Sequence, residues 1–591
     1  MKTKITNILG IKEVPWMLIV VQAIIATMSV FLTMNFNLRT GFPSVIFILC
    51  LLTFCLENKL KIQAKAPKTT WILAVIYALF STMGTYNTWE VYAIAGKVNV
   101  LVNGLLVFCG ALFIYRAIAT IIIVLLELKE NKAASKLKQC KRIGLVSWGI
   151  IFGVWLVYFL AFAPGILTVD SIDHYRQVVG VMEYSNHHPF VYTLFLKVIY
   201  DVFYAISHSV NVAVGAGAMA QMLIVSAVYA YMISVLNKIK IKKAYIYLCI
   251  AYAALLPVNA MYSFTIWKDV LFGAFALLFT IAIWKFAKTD WSQMTAKQKV
   301  VLLAEFLAVG ILFSLWRSNG FYAYIICIPF LLIAKSFSKK RIPISVVMVL
   351  TIAIVIIVKG PIMNAAGVQQ PDFVENISVP LQHVGRVITE RGCDNLPSED
   401  IEKLNYVMDV NAVSSVYTPH IADPMKVLLR AGDWEYLEEN KSEYLSLWFR
   451  WAIKYPKDYL KAQIDVTKGF WFPNTDYWVN AYVIVGNELG IQQNPILPQK
   501  VWTRLVEFDN LCTYIPFVEL FWEIGFYIWV EIFCVVYAVY KKKVKVHMIP
   551  IMAIWATLMI ATPVAYEFRY GFAFVTCLPF IVGTCLLKRN G

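Results

Sequence analysis

A chain of 591 residues that is 60% hydrophobic and only 15% charged stands far from soluble domains, which average roughly 45–50% apolar and about 25% charged residues. That balance excludes an ordinary soluble enzyme and indicates a multi-pass membrane protein. The net charge of +17 does not indicate nucleic acid, because Lys and Arg cluster in short loops between apolar runs, the positive-inside pattern of membrane proteins.

About 20 apolar residues of helix cross the hydrocarbon core, and runs of that kind recur near 15–35, 42–57, 70–85, 98–127, 144–163, 212–236, 244–263, 267–286, 298–316, 320–336, 343–360, 515–540, 547–564 and 570–588. The predicted fold class is therefore an all-α polytopic membrane protein with about 14 transmembrane helices and a mostly helical extracellular domain. The first run, Pro15 to Met34, lacks a small-residue cleavage site and reads as a retained anchor. Lys59–Lys68, Lys129–Arg142, Lys238–Lys243, Lys339–Arg341 and Lys541–Lys545 then fall on one side, together with both termini, and the Lys/Arg bias makes that side the cytoplasm of a cell membrane. This register requires Pro189–Ser207, which carries Lys197 and Asp201, to lie along the outer interface as an amphipathic helix rather than cross.

Four domains follow: an N-terminal four-helix block at 1–128, a membrane core at 144–360 with its first outer loop at 164–211, an extracellular segment at 361–513, and a C-terminal three-helix segment at 514–591. The extracellular segment holds 20 Asp and Glu against 13 Lys and Arg, opposite in sign to the rest. Its aromatics (Trp434, Trp448, Trp451, Trp471, Phe472 and Trp478) read as a domain core plus an interfacial belt, with a sugar-stacking or lipid-facing surface as the alternative. Cys393 and Cys512 are the two cysteines of that segment, and two unpaired thiols are the simpler reading than a bridge.

Polar side chains concentrate at the outer edges of the spans. The first outer loop carries Asp170, Asp173 one helical turn on, Gln177, and Asn186-His187-His188-Pro189. A carboxylate just outside the membrane, partly hydrated, stays ionised and can serve as a general base. Trp267-Lys268-Asp269, Trp316-Arg317-Ser318-Asn319-Gly320 and Glu567-Phe568-Arg569-Tyr570 fall on the same side. Arg offers bidentate contacts and Lys a point charge for phosphate. Snorkelling explains many cations at span ends, but the positive-inside bias makes outer ones less expected. Gln382 and Arg386, spaced i, i+4 at the start of the extracellular segment, divide evenly between site and structure. No Walker-type phosphate loop, HExxH, GxSxG or clustered Cys/His motif occurs, so ATP-driven transport and zinc proteolysis find little support.

The stretches PGILTVDS (164–171), NHHP (186–189), TIWKDV (265–270), WRSNG (316–320), PLQHVGRV (380–387) and YLKAQIDVTKGFWFP (459–473) resemble a bacterial multi-pass family of formerly unknown function placed near the GT-C membrane glycosyltransferases. The resemblance covers residue 144 to about residue 590 and omits the four leading spans. It implies sugar transfer from a polyprenyl-phosphate donor to a cell-envelope glycan, lipid or protein acceptor on the outer face. Asp170 then maps onto the general base, and Lys268, Arg317 and Arg569 onto the donor phosphate's ligands. Asp269 falls where many members carry a second acidic residue. The spacing of Asp170 and Asp173, with two residues between, departs from the adjacent acidic pair of better-known members and leaves dependence on a divalent metal open. Two other classes are kept in view: a flippase or transporter, and a non-catalytic assembly protein for lipid-linked glycans.

Overall fold

The computed structural model describes residues 15–34, 42–63, 68–95, 99–130, 142–473, 475, 477–543 and 545–587. The expected cytoplasmic termini and most of the basic loop 129–142 lie outside the described residues.

The described residues form helices and short turns, with isolated bridges and no strand. Among the described residues, ten helices are long and apolar enough to cross a membrane, or eleven if a bent pair counts as one span. Of the fourteen spans expected, nine are among those ten and one is the bent pair, Lys243–Leu255 with Pro257–Phe264. The remaining four are the shorter apolar helices Thr69–Gly84, Ser318–Ile333, Ile524–Tyr540 and Val546–Ala561. The bent pair turns by 53° at Leu256, where Pro257 cannot donate a backbone N–H to the preceding turn.

The chain divides into two compact units. The first joins the N-terminal block, through Lys136, to Trp529–Lys543. It contains α1 (Trp16–Met34), α2 (Phe42–Gln63), α3 (Thr69–Gly84), α4 (Tyr86–Ala95) and α5 (Val100–Glu130). Helices α1 and α5 approach closely because position 110 is glycine: a Cβ there would lie 2.3 Å from the Ser29 Cβ. Tyr77 of α3 stacks on Trp529 at 4.7 Å and donates its hydroxyl to the Trp529 carbonyl. This contact explains why the segment 529–543, expected to stay with the C-terminal helices, packs with the N-terminal block instead.

The second unit, Leu137–Ile528 with Val544–Leu587, contains the polar sets singled out in the sequence. Its membrane part comprises α6 (Ile143–Ala161), α7 (Val169–Val179), α8 (Phe190–Ser207), α9 (Val210–Lys238), α10 (Lys243–Leu255), α11 (Pro257–Phe264), α12 (Lys268–Lys288), α13 (Ala296–Leu315), α14 (Ser318–Ile333) and α15 (Arg341–Ile357). Then come α16 (Ser378–Arg391), α17 (Ser398–Val407), α18 (Asp423–Arg430), α19 (Trp434–Glu439), α20 (Lys441–Lys454), α21 (Pro456–Thr467), α22 (Gln499–Cys512), α23 (Ile524–Tyr540, divided between the units), α24 (Ile549–Ala561) and α25 (Phe572–Cys585).

Helix α8 is long and apolar enough to count among the ten, but its packing sets it apart. Leu196 faces Gly217 and the Tyr192 hydroxyl donates to Gln221, so α8 runs antiparallel to α9 over the part before Gln221. Helix α9 continues from Gln221 to Lys238, about 25 Å at 1.5 Å per residue. Gln221 also donates to the Thr265 carbonyl, three residues before α12, and the far end of α12 reaches α9 where Lys285 bonds Tyr231. Helix α12 and the remainder of α9 therefore leave Gln221 in the same direction, and α8 leaves it in the other.

Helices α16–α21 surround a core that includes Val387, Leu404, Met425 and Trp451. This helical domain is fastened to the segment after α24: Ala422 N–H donates to Pro563 O and Ala565 N–H to His420 O, both at 2.9 Å. Trp451, Trp471 and Phe472 are buried and Trp434 and Trp448 pack on the core, while Trp478 is half-exposed. Cys393 and Cys512 are both free thiols.

Candidate functional site

The site is assembled where the loop after α6 meets the segment before α12. Ile166 and Thr265 form a parallel bridge, in which Ile266 N–H donates to Ile166 O at 3.0 Å. Ser171 Oγ accepts the Thr168 N–H and donates to the Ile266 carbonyl, and the Trp267 indole donates to Thr168 Oγ at 2.8 Å. These bonds fix the first turn of α7, carrying Asp170, against the first turn of α12, carrying Lys268 and Asp269. An anion at a helix N-terminus is favoured by the unpaired backbone N–H groups and the helix dipole, and Asp170 and Asp269 both occupy such positions.

Asp170 gathers three partners. Arg569 Nη1 donates to Oδ2 at 2.7 Å, Lys268 Nζ lies 3.6 Å from the same oxygen, and His188 Nε2 lies 3.9 Å from Oδ1. Lys268 Nζ is 2.9 Å from His188 Nδ1. An ammonium only donates, so Nδ1 accepts and the ring proton sits on Nε2, facing Asp170. Arg569 also donates through Nε to Glu567 at 2.8 Å and lies over the rings of Trp267 and Tyr570. Arg317 donates to the Tyr570 carbonyl, lies 4.4 Å from the centre of the same ring, and approaches Asp269 Oδ1 to 2.9 Å. That last contact is an ion pair without hydrogen-bond alignment, because both Asp269 oxygens, on a residue 1% exposed, lack a hydrogen-bond donor. Three carboxylates and three cations thus form one linked group.

Exposure within the group is uneven. The Asp170 side chain is 26% exposed, while Lys268, Arg317 and Arg569 are nearly covered, so the aspartate is the member presented outward. Burial alone would raise the Asp170 carboxyl, but the Lys268 and Arg569 charges outweigh it and hold the group well below the usual carboxylate range. Burial, reinforced by Lys268, keeps the His188 imidazole far below its ordinary value and hence neutral. His174, buried beside it with Nδ1 2.7 Å from Thr193 Oγ1, is pushed down to about 3, chiefly by burial. Burial raises Glu567 against the pull of Arg569.

The remaining sequence candidates have other partners. Asp173 pairs with Arg176 at 2.8 Å, which in turn pairs with Glu488. Gln177 is buried and accepts the Ser185 N–H, tying down the loop before α8. His187 is exposed, its ring centre 4.6 Å from that of His188. Asn319 sits half-buried in the first turn of α14, two residues after Arg317. Gln382 donates to the carbonyls of Thr418 and Ile421, and Arg386 pairs with Asp465 and Glu390, so these two hold the helical domain together. No group of three or more His, Cys, Asp or Glu arranged to hold a metal ion occurs among the described residues.

Sequence reasoning missed Gln221, and it named Trp267 and Tyr570 only as members of their polar sets, without a role. The Gln221 amide donates to carbonyls of one turn, those of Tyr262, Ser263 and Thr265, and so shapes the approach to α12. Its signal was a lone polar amide inside an apolar span, where it must find a partner. Trp478 also enters here: it bridges to Glu567 and its ring lies 6.2 Å from Trp267, leaving a half-exposed aromatic face beside the charged group.

No curated protein and no solved structure matches the chain. A family model described as a family of unknown function, DUF6020, matches residues 162–590, which takes in all five polar sets and leaves out α1–α6. The chain therefore belongs to the DUF6020 family, and its own apolar helices fit a multi-pass membrane protein.

Proposed function

We propose that this protein is a GT-C-like membrane glycosyltransferase that moves a sugar from a polyprenyl-phosphate donor to a cell-envelope acceptor on the outer face, with Asp170 as general base. The observation that carries the reading is the convergence of Arg569 and Lys268 on a partly open Asp170. In this reading about fourteen helices cross, both termini are cytoplasmic, and the helical domain is extracellular. Support for that topology comes from α12, which at 21 residues is about 31 Å long and carries Lys268 and Asp269 at one end and Lys285 and Lys288 at the other. Helix α8, leaving Gln221 away from α12, then stands on the outer side of the layer that α12 crosses.

A carboxylate clamped by two cations is a weak base. The donor's phosphate competes for Arg569 and Lys268, and as it takes their charge the Asp170 carboxyl rises toward its ordinary range. The acceptor hydroxyl then gives its proton to Asp170 while its oxygen forms a bond to the anomeric carbon. The bond from that carbon to the phosphate oxygen breaks, its electron pair leaves with polyprenyl phosphate, and the anomeric centre inverts. Arg569 and Lys268 stabilise the departing phosphate, an electrostatic contribution worth roughly 3–4 kcal/mol per donor. Trp478, exposed beside Glu567, offers the sugar a stacking face.

The test is transfer from a polyprenyl-phosphate sugar in detergent. Loss of transfer in Asp170→Asn with an unchanged melting temperature is expected; unchanged turnover removes the base. A cysteine at the exposed Glu183 should react with a membrane-impermeant maleimide added to intact cells, and protection there removes the outward orientation.

A further inference from the structure

The helical domain contains a cavity of about 460 Å³, remote in function from the charged group and used by nothing described above. Its volume falls in the range of small-molecule sites, roughly 300–1,000 Å³. Leu381, Val384, Leu404, Val407, Leu429 and Leu447 line it from α16, α17, α18 and α20, and each of them is buried. Its apolar lining atoms lack contacts on the open side, so a hydrocarbon occupant would remove apolar surface from water. Closing it by collapse is opposed by the short helices around it, which are pinned by outer ion pairs: Arg430 with Asp372 and Glu375, and Lys403 with Glu399 and Glu443.

Two polar residues, Lys441 and Ser442, line the cavity from the first turn of α20, and both are exposed. A cation and a hydroxyl beside an otherwise apolar interior match an amphiphile with an acidic head and a hydrocarbon tail. From this lip, α20 exposes Leu445, Phe449 and Ile453, spaced i, i+4, i+8 along one stripe. The domain carrying the stripe is fastened to the end of the apolar helix α24 by Gln463, which donates to Met559 O at 2.6 Å, and by the paired bonds of Ala422 and Ala565.

We propose that this cavity binds the single hydrocarbon tail of an acidic membrane lipid, with Lys441 at the head group and the α20 stripe as its path of entry. The proposal stands independently of sugar transfer. It is tested with the full chain purified in a maltoside detergent, stripped of lipid, exposed to palmitate and weighed by native mass spectrometry. One palmitate retained per chain is expected, with hexadecanol retained less well. Ser442→Trp plugs the mouth from an exposed position, and Leu404→Phe narrows the interior; each should weaken retention about tenfold, a change of about 1.4 kcal/mol. Lys441→Glu should abolish the preference for palmitate over hexadecanol. Retention unchanged in Ser442→Trp, whose exposed site keeps the fold intact, overturns the proposal, as does displacement of palmitate by none of these changes or the absence of any retained palmitate in the wild-type chain.

Discussion

Two Arg–Asp pairs in this protein share a chemistry and differ in everything around it. Arg386 and Asp465 meet at 3.0 Å between α16 and α21, 79 residues apart, with the Asp465 side chain 7% exposed and Glu390 taking the other side of the guanidinium. Arg569 and Asp170 meet at 2.7 Å across 399 residues, with the aspartate 26% exposed and Lys268 standing 3.6 Å away, its own short contact made to His188 rather than to the carboxylate. The first pair is closed: both charges are covered and have partners within their own small domain. The second is open, and its cations can turn to another anion without leaving the site. A closed pair holds a fold, whereas an open one, built from distant segments, suits exchange of partners with a ligand.

The contrast is sharpest in Asp170→Asn, which should lower transfer by about 10²–10⁴-fold and leave the melting temperature in place; a large loss of stability instead would make the open pair structural like the closed one. Arg569→Ala should lower kcat/KM by about 10²–10³-fold, and Arg569→Lys should recover little of it, because lysine lacks the planar fork that reaches Asp170 and Glu567 together. Arg386→Leu should behave oppositely, costing roughly 3–5 kcal/mol of stability by denying Asp465 its guanidinium, read by chemical denaturation, while the folded fraction retains turnover.

Acid sensitivity differs within the charged site itself. Asp170 sits well below the usual carboxylate range, so it stays ionised through neutral pH in the free protein and adds no titration there. His174 is held at about 3 against an ordinary 6.5, so the folded state resists its protonation. Its contribution is therefore complete above pH 6.5 and erodes as the pH falls from 6.5 toward 3. Thermal unfolding across that window should show a slope that His174→Gln flattens. The smallest effect belongs to Asp173→Ala: it removes one arm of a surface network with Arg176 and Glu488, and both transfer and melting temperature should hardly move.

Within the candidate site, what was legible was the list of edge-of-span charges; what was not was which of them meet. Asp170, Lys268, Arg317 and Arg569 look no different in sequence from Asp173, Gln382 and Arg386, since all are polar residues beside apolar helices. The last three have structural partners in Arg176, Thr418 and Asp465; the i, i+3 spacing announces the first, and no local pattern announces the other two. Glutamine 221 was passed over because an amide carries no charge, although its bonds to three carbonyls shape the turn before Lys268.

The amino-acid sequence alone determined the multi-pass membrane class and the approximate positions of the apolar helices, because these follow from composition and period within one segment and from the cost of placing backbone and charge in hydrocarbon. Tertiary structure alone decided that α8 runs away from α12, that the segment 529–543 packs with the N-terminal block, and that Arg569 lies on Asp170. Those outcomes depend on side chains from segments far apart finding complementary surfaces, and a contact across 399 residues leaves no trace in the spacing of either segment.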